Sequence, residues 1–273
     1  MHHLLFILKY LKYLVAAKTG AGVHSPFVSK FYGDVILSDK NYYPFESIKA
    51  VRKALLSNET EITITDFGAG SLYNNGKKKK IKTIAKNAAK PEKYGQLFFR
   101  MIVDMQPKNI VELGTSLGLS TSYLASASAS SMVNTLEGCP ETAKMAQKVF
   151  DSQKLRNIQI TVGNFDDTFE KVLKNLSSLD FVFIDGNHQY EPTVRYFKQC
   201  LPYINENTVI IFDDVHWSEG MEKAWNEIKL HPEVGVSIDL FFVGMVFFKK
   251  AQVKEDFVLK YWSTMLLSQQ SIS

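Results

Sequence analysis

Two segments, FIDGNHQY and FDDVHW, carry the side chains of this chain best suited to chemistry. The first holds Asp185 and His188, the second Asp213, Asp214 and His216. A histidine removes a hydroxyl proton near neutral pH without a large pKa shift, so His188 is the first candidate base and His216 its competitor. Carboxylates brought together repel one another unless a cation, a proton or solvation intervenes. Tyr190 and Trp217, beside them in sequence, suit either the wall of a planar substrate or core packing.

A third segment, VELGTSLGLST (111–121), ends an apolar run with an acid and two spaced glycines. A phosphate-cradling loop needs G-x-x-x-x-G-K-[ST], and this segment has neither that spacing nor the lysine. The dinucleotide fingerprint needs glycine two positions after Gly114, where Ser116 stands. What remains is E-x-G-x-x-x-G, with Glu112 ahead of Gly114 and Gly118. A carboxylate there repels a pyrophosphate and suits an amine or a sulfonium. A second acid, Glu137 in TLEG, closes the next apolar run, where an acid hydrogen-bonds ribose hydroxyls. The ligand these residues suit is a nucleoside with a cationic tail and no phosphate, S-adenosylmethionine.

The elements that must position these residues are legible from about residue 108. Buried-strand runs at 109–114, 131–138, 158–163, 179–186 and 208–215 alternate with helical patterns, which predicts βαβ units and a mainly parallel sheet. A fifth helix at 220–230 precedes two strands, 234–241 and 244–250, which read as a hairpin at one sheet edge. Phe242-Val243 is a poor turn pair, so the turn is expected to shift by a residue or two. Each acid named above then falls at the carboxyl end of a strand, where open α/β sheets bind ligands. The expected fold is α/β: a doubly wound, mainly parallel, seven-stranded Rossmann-like sheet with a C-terminal antiparallel hairpin and a helical N-terminal extension. The division expected is residues 1–94 for the extension or lid and 95–273 for the S-adenosylmethionine-binding domain. SLYNNGKKKK (71–80) reads as a solvated, mobile loop, and the Asp66-Phe67-Gly68 triplet as a chance match to a kinase motif.

Taken in order, ELGTSLGLST, TLEG, VGNFDD, FIDGNHQY and FDDVHW resemble the class I S-adenosylmethionine-dependent methyltransferases, nearest the catechol-O-methyltransferase-like branch and its small-molecule O-methyltransferases. The resemblance covers about residues 95–250 and implies methyl transfer to a small-molecule acceptor, most simply at a hydroxyl oxygen. It implies that Gly114 and Gly118, with Ser116 between them, let the backbone approach the methionine part, and that Glu112 faces its ammonium. Glu137, followed by Gly138, holds the ribose, Asn164 and Asp166 lie by the adenine, and Asp185 lines the cofactor pocket. In the metal-dependent branch an aspartate after strand four and an Asp-Asn pair after strand five bind magnesium. Here the corresponding residues are Asp185, Asp213 and Asp214, with aspartate in place of asparagine. Oxygen-only ligands suit Mg²⁺ or Ca²⁺. The alternative, that Asp185 only lines the pocket while Asp213 or Asp214 caps the next loop, stands beside it. His188 occupies the position where the catechol-type enzymes place a lysine near the accepting hydroxyl.

Composition narrows the remaining choices. The chain has 273 residues, 45% of them hydrophobic, and 32 basic against 28 acidic side chains. A net charge of +4 without clustering argues against nucleic acid as a partner. Two cysteines without metal-type spacing, Cys139 and Cys200, fit a reduced cytoplasmic setting. At the N-terminus Leu4, Leu8, Leu11 and Val15 share one helical face and Lys9 and Lys12 another. That helix is expected to dock its apolar face on the body or on a second copy in a homodimer, in preference to a membrane surface. HSPF (24–27) has no role assigned by sequence. The rival functions are a nicotinamide-dependent oxidoreductase, disfavoured by the glycine spacing, and a non-catalytic membrane-surface scaffold that retains the nucleoside pocket.

Overall fold

A computed structural model of the chain describes residues 2–65, 67, 76–88, 90–250 and 253–261. Its N-terminal part is helical: α1 (His2–Ala16), α2 (Pro26–Phe31) running into a single π turn (Tyr32–Ile36), and α3 (Pro44–Leu56). Ser25 and Pro26 of HSPF start α2, the serine hydroxyl accepting the Val28 N–H and the proline filling the first turn, where no donor is needed. A two-stranded antiparallel ribbon, β1 (Glu61–Thr63) with β2 (Lys78–Lys80), leads into α4 (Ile81–Ala88) and α5 (Glu92–Met105). The lysine run expected to be loop is therefore a strand over residues 78–80. Its partner strand supplies the backbone pairing, and Glu59 balances Lys80 and Lys82. Residues 71–75, Asp66 and Gly68 lie outside the described residues.

The remaining strands form one sheet: β3 (Asn109–Leu113), β4 (Met132–Glu137), β5 (Ile158–Val162), β6 (Leu179–Ile184), β7 (Ile204–Asp213), β8 (Val236–Asp239), β9 (Val243–Phe247) and β10 (Glu255–Val258). Between them run α6 (Leu119–Ala127), α7 (Pro140–Ser152), α8 (Phe165–Lys174), α9 (Tyr190–Cys200) and α10 (Glu219–Leu230). The strand order is β10-β8-β9-β7-β6-β3-β4-β5. The five strands β3 to β7 are parallel, and β9 turns antiparallel between β7 and β8. The predicted sheet is one strand short. β10 pairs parallel with β8, so the hairpin is not the edge of the sheet. Its four residues are too few, and too mixed in polarity, to announce a strand by period alone.

From β3 the chain moves outward through β4 to β5, then returns to β6 and β7 on the other side. The switch point of the sheet thus lies between β3 and β6. Both faces of these strands are covered by helices, which is why their sequences run apolar without strict alternation. Ile110, Phe181 and Val209 enter one core with α5, while Val111, Val182 and Ile210 enter the other with α9 and α10.

α1 and α2 belong to the first of those cores, α3 and α4 to a third with Phe99, Tyr123 and Phe150, and the expected boundary at 94/95 falls inside α5. α1 docks by its aromatic face, and the stripe expected to dock faces out: Leu8, Leu11 and Val15 are exposed, whereas Tyr10 and Tyr13 are buried. The reason is the hairpin turn. Leu240–Phe242 connects β8 to β9 with Phe241 in a left-handed conformation (φ 71°), its N–H donated to the Asp239 carboxylate. That turn projects Phe241 and Phe242 into the ring contacts of Phe6, Tyr10 and Tyr13. The phenol of Tyr13 then donates to the carbonyl of Leu259, and that of Tyr32 to Lys260, next to β10. No helix among the described residues is long and apolar enough to cross a membrane.

His216 belongs to this junction. Its ring stacks on Phe241, Nε2 lies 2.8 Å from the Asp239 carboxylate, and Nδ1 lies 3.1 Å from that of Glu222. Glu222 in turn pairs with Lys9 of α1 at 2.8 Å. Burial pulls the His216 pKa down, but the two carboxylates outweigh it and hold the imidazole above its ordinary value.

Two expectations follow for stability. At Gly95, on α5, a Cβ would lie 2.2 Å from the ring of Tyr123 on α6, whereas at Gly33 it would meet nothing within 4 Å. Gly95→Ala should therefore lower stability by about 1–3 kcal/mol in urea denaturation, with Gly33→Ala neutral or slightly stabilising. Because the folded state raises the His216 pKa, its contribution is full below the unfolded value of 6.5 and is lost as pH rises through the folded value. Stability measured from about pH 6 to about pH 9 should fall more steeply in the wild type than in His216→Gln.

Candidate active site

A cavity of 590 Å³ opens where β3, β4, β6 and β7 end. That volume is within the range of small-molecule sites. Its walls come from the loops after those strands and after β5, with a further wall from the N-terminal segment that includes Ile64, Lys79, Ile84 and Lys90.

The loop after β3 is tightly constrained. Gly114 has φ 105°, and a Cβ there would stand 2.1 Å from the Asp185 carbonyl oxygen, so only glycine lets β3 and the β6 loop approach so closely. Asp185 donates its own N–H to the Leu113 carbonyl at 2.8 Å, continuing the β3–β6 ladder past the strand ends. Ser116 (φ 48°) turns its N–H onto the Glu137 carboxylate at 2.8 Å, and Cys139 N–H binds the other oxygen at 2.9 Å. Glu137 is thereby held at the end of β4, in the cavity wall with Gly138. Gly118 (φ 79°) serves a different purpose. It precedes α6 and leaves room for the ring of Phe150, which a Cβ would meet at 2.5 Å, and it does not line the cavity.

Glu112 is wholly buried on β3 and is also absent from the cavity wall. Thr121 and Thr135 donate hydroxyls to one carboxylate oxygen, and the other, equally buried, has no hydrogen-bond partner among the described residues. Burial pushes its pKa up to about 7, against the lowering effect of the neighbouring hydroxyls. Asn164 lines the cavity and caps α8, its side chain accepting the Asp166 N–H. Asp166 does not reach the cavity. It turns outward to Arg195 at 2.7 Å and to the Tyr196 phenol at 3.0 Å from the first turn of α8.

Beside the glycine loop the acids do converge. Asp185, His188, Asp213 and Asp214 all line it, and His188 Nε2 is 3.5 Å from an Asp185 oxygen. An oxygen of Asp185 and one of Asp213 lie within 4.8 Å of each other. Burial raises both pKa values, that of Asp185 to about 6 and that of Asp213 well above the ordinary carboxylate range, helped for Asp213 by the charges of Asp185 and Asp214. The residue that sequence reasoning missed is Lys90. Its Nζ lies 2.5 Å from Asp213 Oδ1 and 2.8 Å from Asp214 Oδ1. Burial alone would pull the ammonium pKa down, but Asp213, Asp214 and Asp185 outweigh that and raise it. No motif surrounds Lys90, and more than ninety residues separate it from the acids it meets, so only charge balance in the cluster pointed to a cation.

This geometry revises two further expectations. The trio of Asp185, His188 and Asp213 brings ligand-type atoms within 4.8 Å of one another. However, the pair Asp213-Asp214, expected with Asp185 to hold Mg²⁺, is already bridged by an ammonium, so a divalent ion on the same oxygens does not fit beside Lys90. His216, the competing base, lies outside the cavity with both ring nitrogens engaged by Asp239 and Glu222, so no nitrogen is left to accept a substrate proton. Tyr190 also stands away from the cavity, its phenol bonded to Glu227, whereas Trp217 lines it and is 56% exposed.

Residues 111–215 match a family model described as a methyltransferase domain. The chain is 33% identical over 122 residues to the catechol O-methyltransferase of Niastella koreensis, covering 43% of this chain and 54% of that protein. It is 27% identical over 129 residues to the catechol O-methyltransferase of Bos taurus, covering 45% and 47%. The chain thus spans about half the length of these relatives. In fold it is similar to the Bacillus cereus O-methyltransferase in complex with SAH, at a TM-score of 0.54 and 20% identity, covering 81% of this chain and 97% of that one. The Streptomyces achromogenes O-methyltransferase TomG, in complex with SAM, superposes at a TM-score of 0.53 and 16% identity, covering 81% and 96%. The glycine loop, the acid closing β4, and the acids after β6 and β7 all fall within the segment that matches the methyltransferase-domain model.

Proposed function

We propose that this protein transfers a methyl group from S-adenosylmethionine to a hydroxyl oxygen of a small-molecule acceptor. The observation that carries the reading is that one cavity joins two chemically different sets of residues. Gly114, Ser116, Glu137, Gly138 and Asn164 suit a nucleoside, while His188, Asp185, Lys90 and Trp217 suit an acceptor that must lose a proton. The fit to a cationic nucleoside is supported by the acids in the cavity wall and by the absence of a basic side chain in the glycine loop. Glu137 is held by two backbone N–H groups, which suits a carboxylate that accepts from ribose hydroxyls without moving.

The cofactor supplies a sulfonium methyl, whose carbon–sulfur electron pair leaves with the thioether. The protein's own task is alignment and proton transfer. Gly114 and Ser116 fix one reactant against the strand ends, and Trp217 and Phe242 present aromatic surface to the other. As the acceptor oxygen gives its electron pair to the methyl carbon, its proton must go to a base. His188 has Nε2 turned toward Asp185, so Nδ1 is the atom free to take that proton. No step runs through a divalent metal.

Isothermal titration with S-adenosylhomocysteine tests the cofactor half. Micromolar binding is expected, weakened about ten-fold or more in Glu137→Ala and unchanged in Asp166→Ala, whose side chain points to Arg195. Well-folded protein that binds none would refute the reading. For the acceptor half, His188→Ala should lower kcat on a responsive phenol or catechol by about a hundred-fold while S-adenosylhomocysteine affinity holds. Equal loss of both would make His188 a structural residue.

A further inference from the structure

Lys90 reaches the acid cluster from the N-terminal segment, outside the motifs of the methyltransferase domain. Its backbone is anchored: the Arg52 guanidinium donates to the Lys90 carbonyl, and Pro91 starts α5 directly after it. Its side chain is only 13% exposed and ends between Asp213, which is 1% exposed, and Asp214. Both contacts are at ion-pair distance, and an oxygen of Asp185 lies within 4.8 Å of one of Asp213. Three carboxylates at the ends of adjacent strands need a positive charge, and the chain supplies one of its own. Any divalent ion ligated by the Asp213-Asp214 pair would have to displace that ammonium from a site almost closed to solvent.

We propose that Lys90 is the resident cation of this site, standing in for a divalent metal and holding the acceptor oxygen by its ammonium for methyl transfer. The metal-replacing part rests on the geometry alone, and the acceptor part rests on the methyltransferase reading. An ammonium suits the task because it has three donors: one bonds Asp214, the charge pairs with Asp213, and a further donor can reach the acceptor oxygen in the cavity Lys90 lines. It places positive charge beside an oxygen that is losing its proton. The acceptor proton still passes to His188, the new carbon–oxygen bond forms as the carbon–sulfur bond breaks, and Lys90 stays protonated throughout. Lysine presents one point charge, so the site favours an acceptor bound through a single oxygen over a chelating diol.

The test uses Mn²⁺ as a paramagnetic probe, titrated into the full chain and followed by electron paramagnetic resonance. S-adenosylhomocysteine titration of the same samples, with and without chelator, runs in parallel. Wild type should bind no stoichiometric Mn²⁺. Lys90→Ala should bind one per chain, about ten-fold or more tighter than wild type, and lose it again when Asp213→Asn is added. Stoichiometric Mn²⁺ binding by wild type that Asp213→Asn abolishes would overturn the proposal. So would a folded Lys90→Ala that binds Mn²⁺ no better than wild type. Should Lys90→Ala fail to fold, Lys90→Met keeps the stem that packs, and the wild-type titration decides regardless. Activity on any acceptor should survive chelation in wild type, and activity that needs added metal would overturn the proposal. Absence of S-adenosylhomocysteine binding would remove the methyltransferase reading and the acceptor role, leaving the Mn²⁺ comparison to judge the cation role separately.

Discussion

Carboxylates at the ends of neighbouring buried strands repel one another in a medium that screens poorly, and the arrangement around this cavity answers that constraint. Asp185 follows β6 and Asp213 ends β7, two strands paired in register over Phe181–Ile184 and Val209–Phe212. The parallel ladder therefore forces their side chains together whatever their charge. The ammonium of Lys90 relieves the repulsion, and it arrives from the N-terminal segment. The extension is thus electrically part of the site as well as packed on the domain.

The packing serves the same end. Phe241 and Phe242 at the β8–β9 turn meet Phe6, Tyr10 and Tyr13 on α1, so the N-terminal helix is held over the end of the sheet that carries the cavity. Phe242 and Trp217 line the cavity and also touch Phe6. Each ring buried there contributes about 2 kcal/mol of transfer free energy, enough to order a helix whose other face is exposed leucine and valine. His216 completes the junction between Asp239 and Glu222. A histidine in a sequence such as FDDVHW invites a catalytic reading, yet two carboxylates and a stacked phenylalanine hold it as a bracket.

Glycines at two positions of one loop meet different demands. Gly114 allows a backbone-to-backbone approach between β3 and the β6 loop at the switch point of the sheet. Gly118 makes space for a core phenylalanine at the start of α6. The carboxylates divide similarly: Glu137 is presented to the cavity by two amide donors, while Glu112 is buried behind it with its pKa raised by desolvation.

From the sequence alone, the alternation of apolar runs and helical patterns determined the parallel strands, their connecting helices and the antiparallel hairpin. These depend on local periodicity and on each strand's need to be covered on both faces. The same logic put Gly114, Glu137, Asp185, Asp213 and Asp214 at strand ends, and hence at one cavity. The eighth strand escaped because four residues of mixed polarity carry no period. The direction in which Asp166, Tyr190 and His216 point was decided by partners distant in sequence: Arg195, Glu227 and Asp239. The outward turn of the leucine face of α1 was decided by two phenylalanines more than two hundred residues away. Lys90 is the plainest case. A lone lysine beside a proline has no local signature, and its place between Asp213 and Asp214 exists only once the chain has folded, because electrostatic pairing depends on distance in space and leaves no period in the sequence.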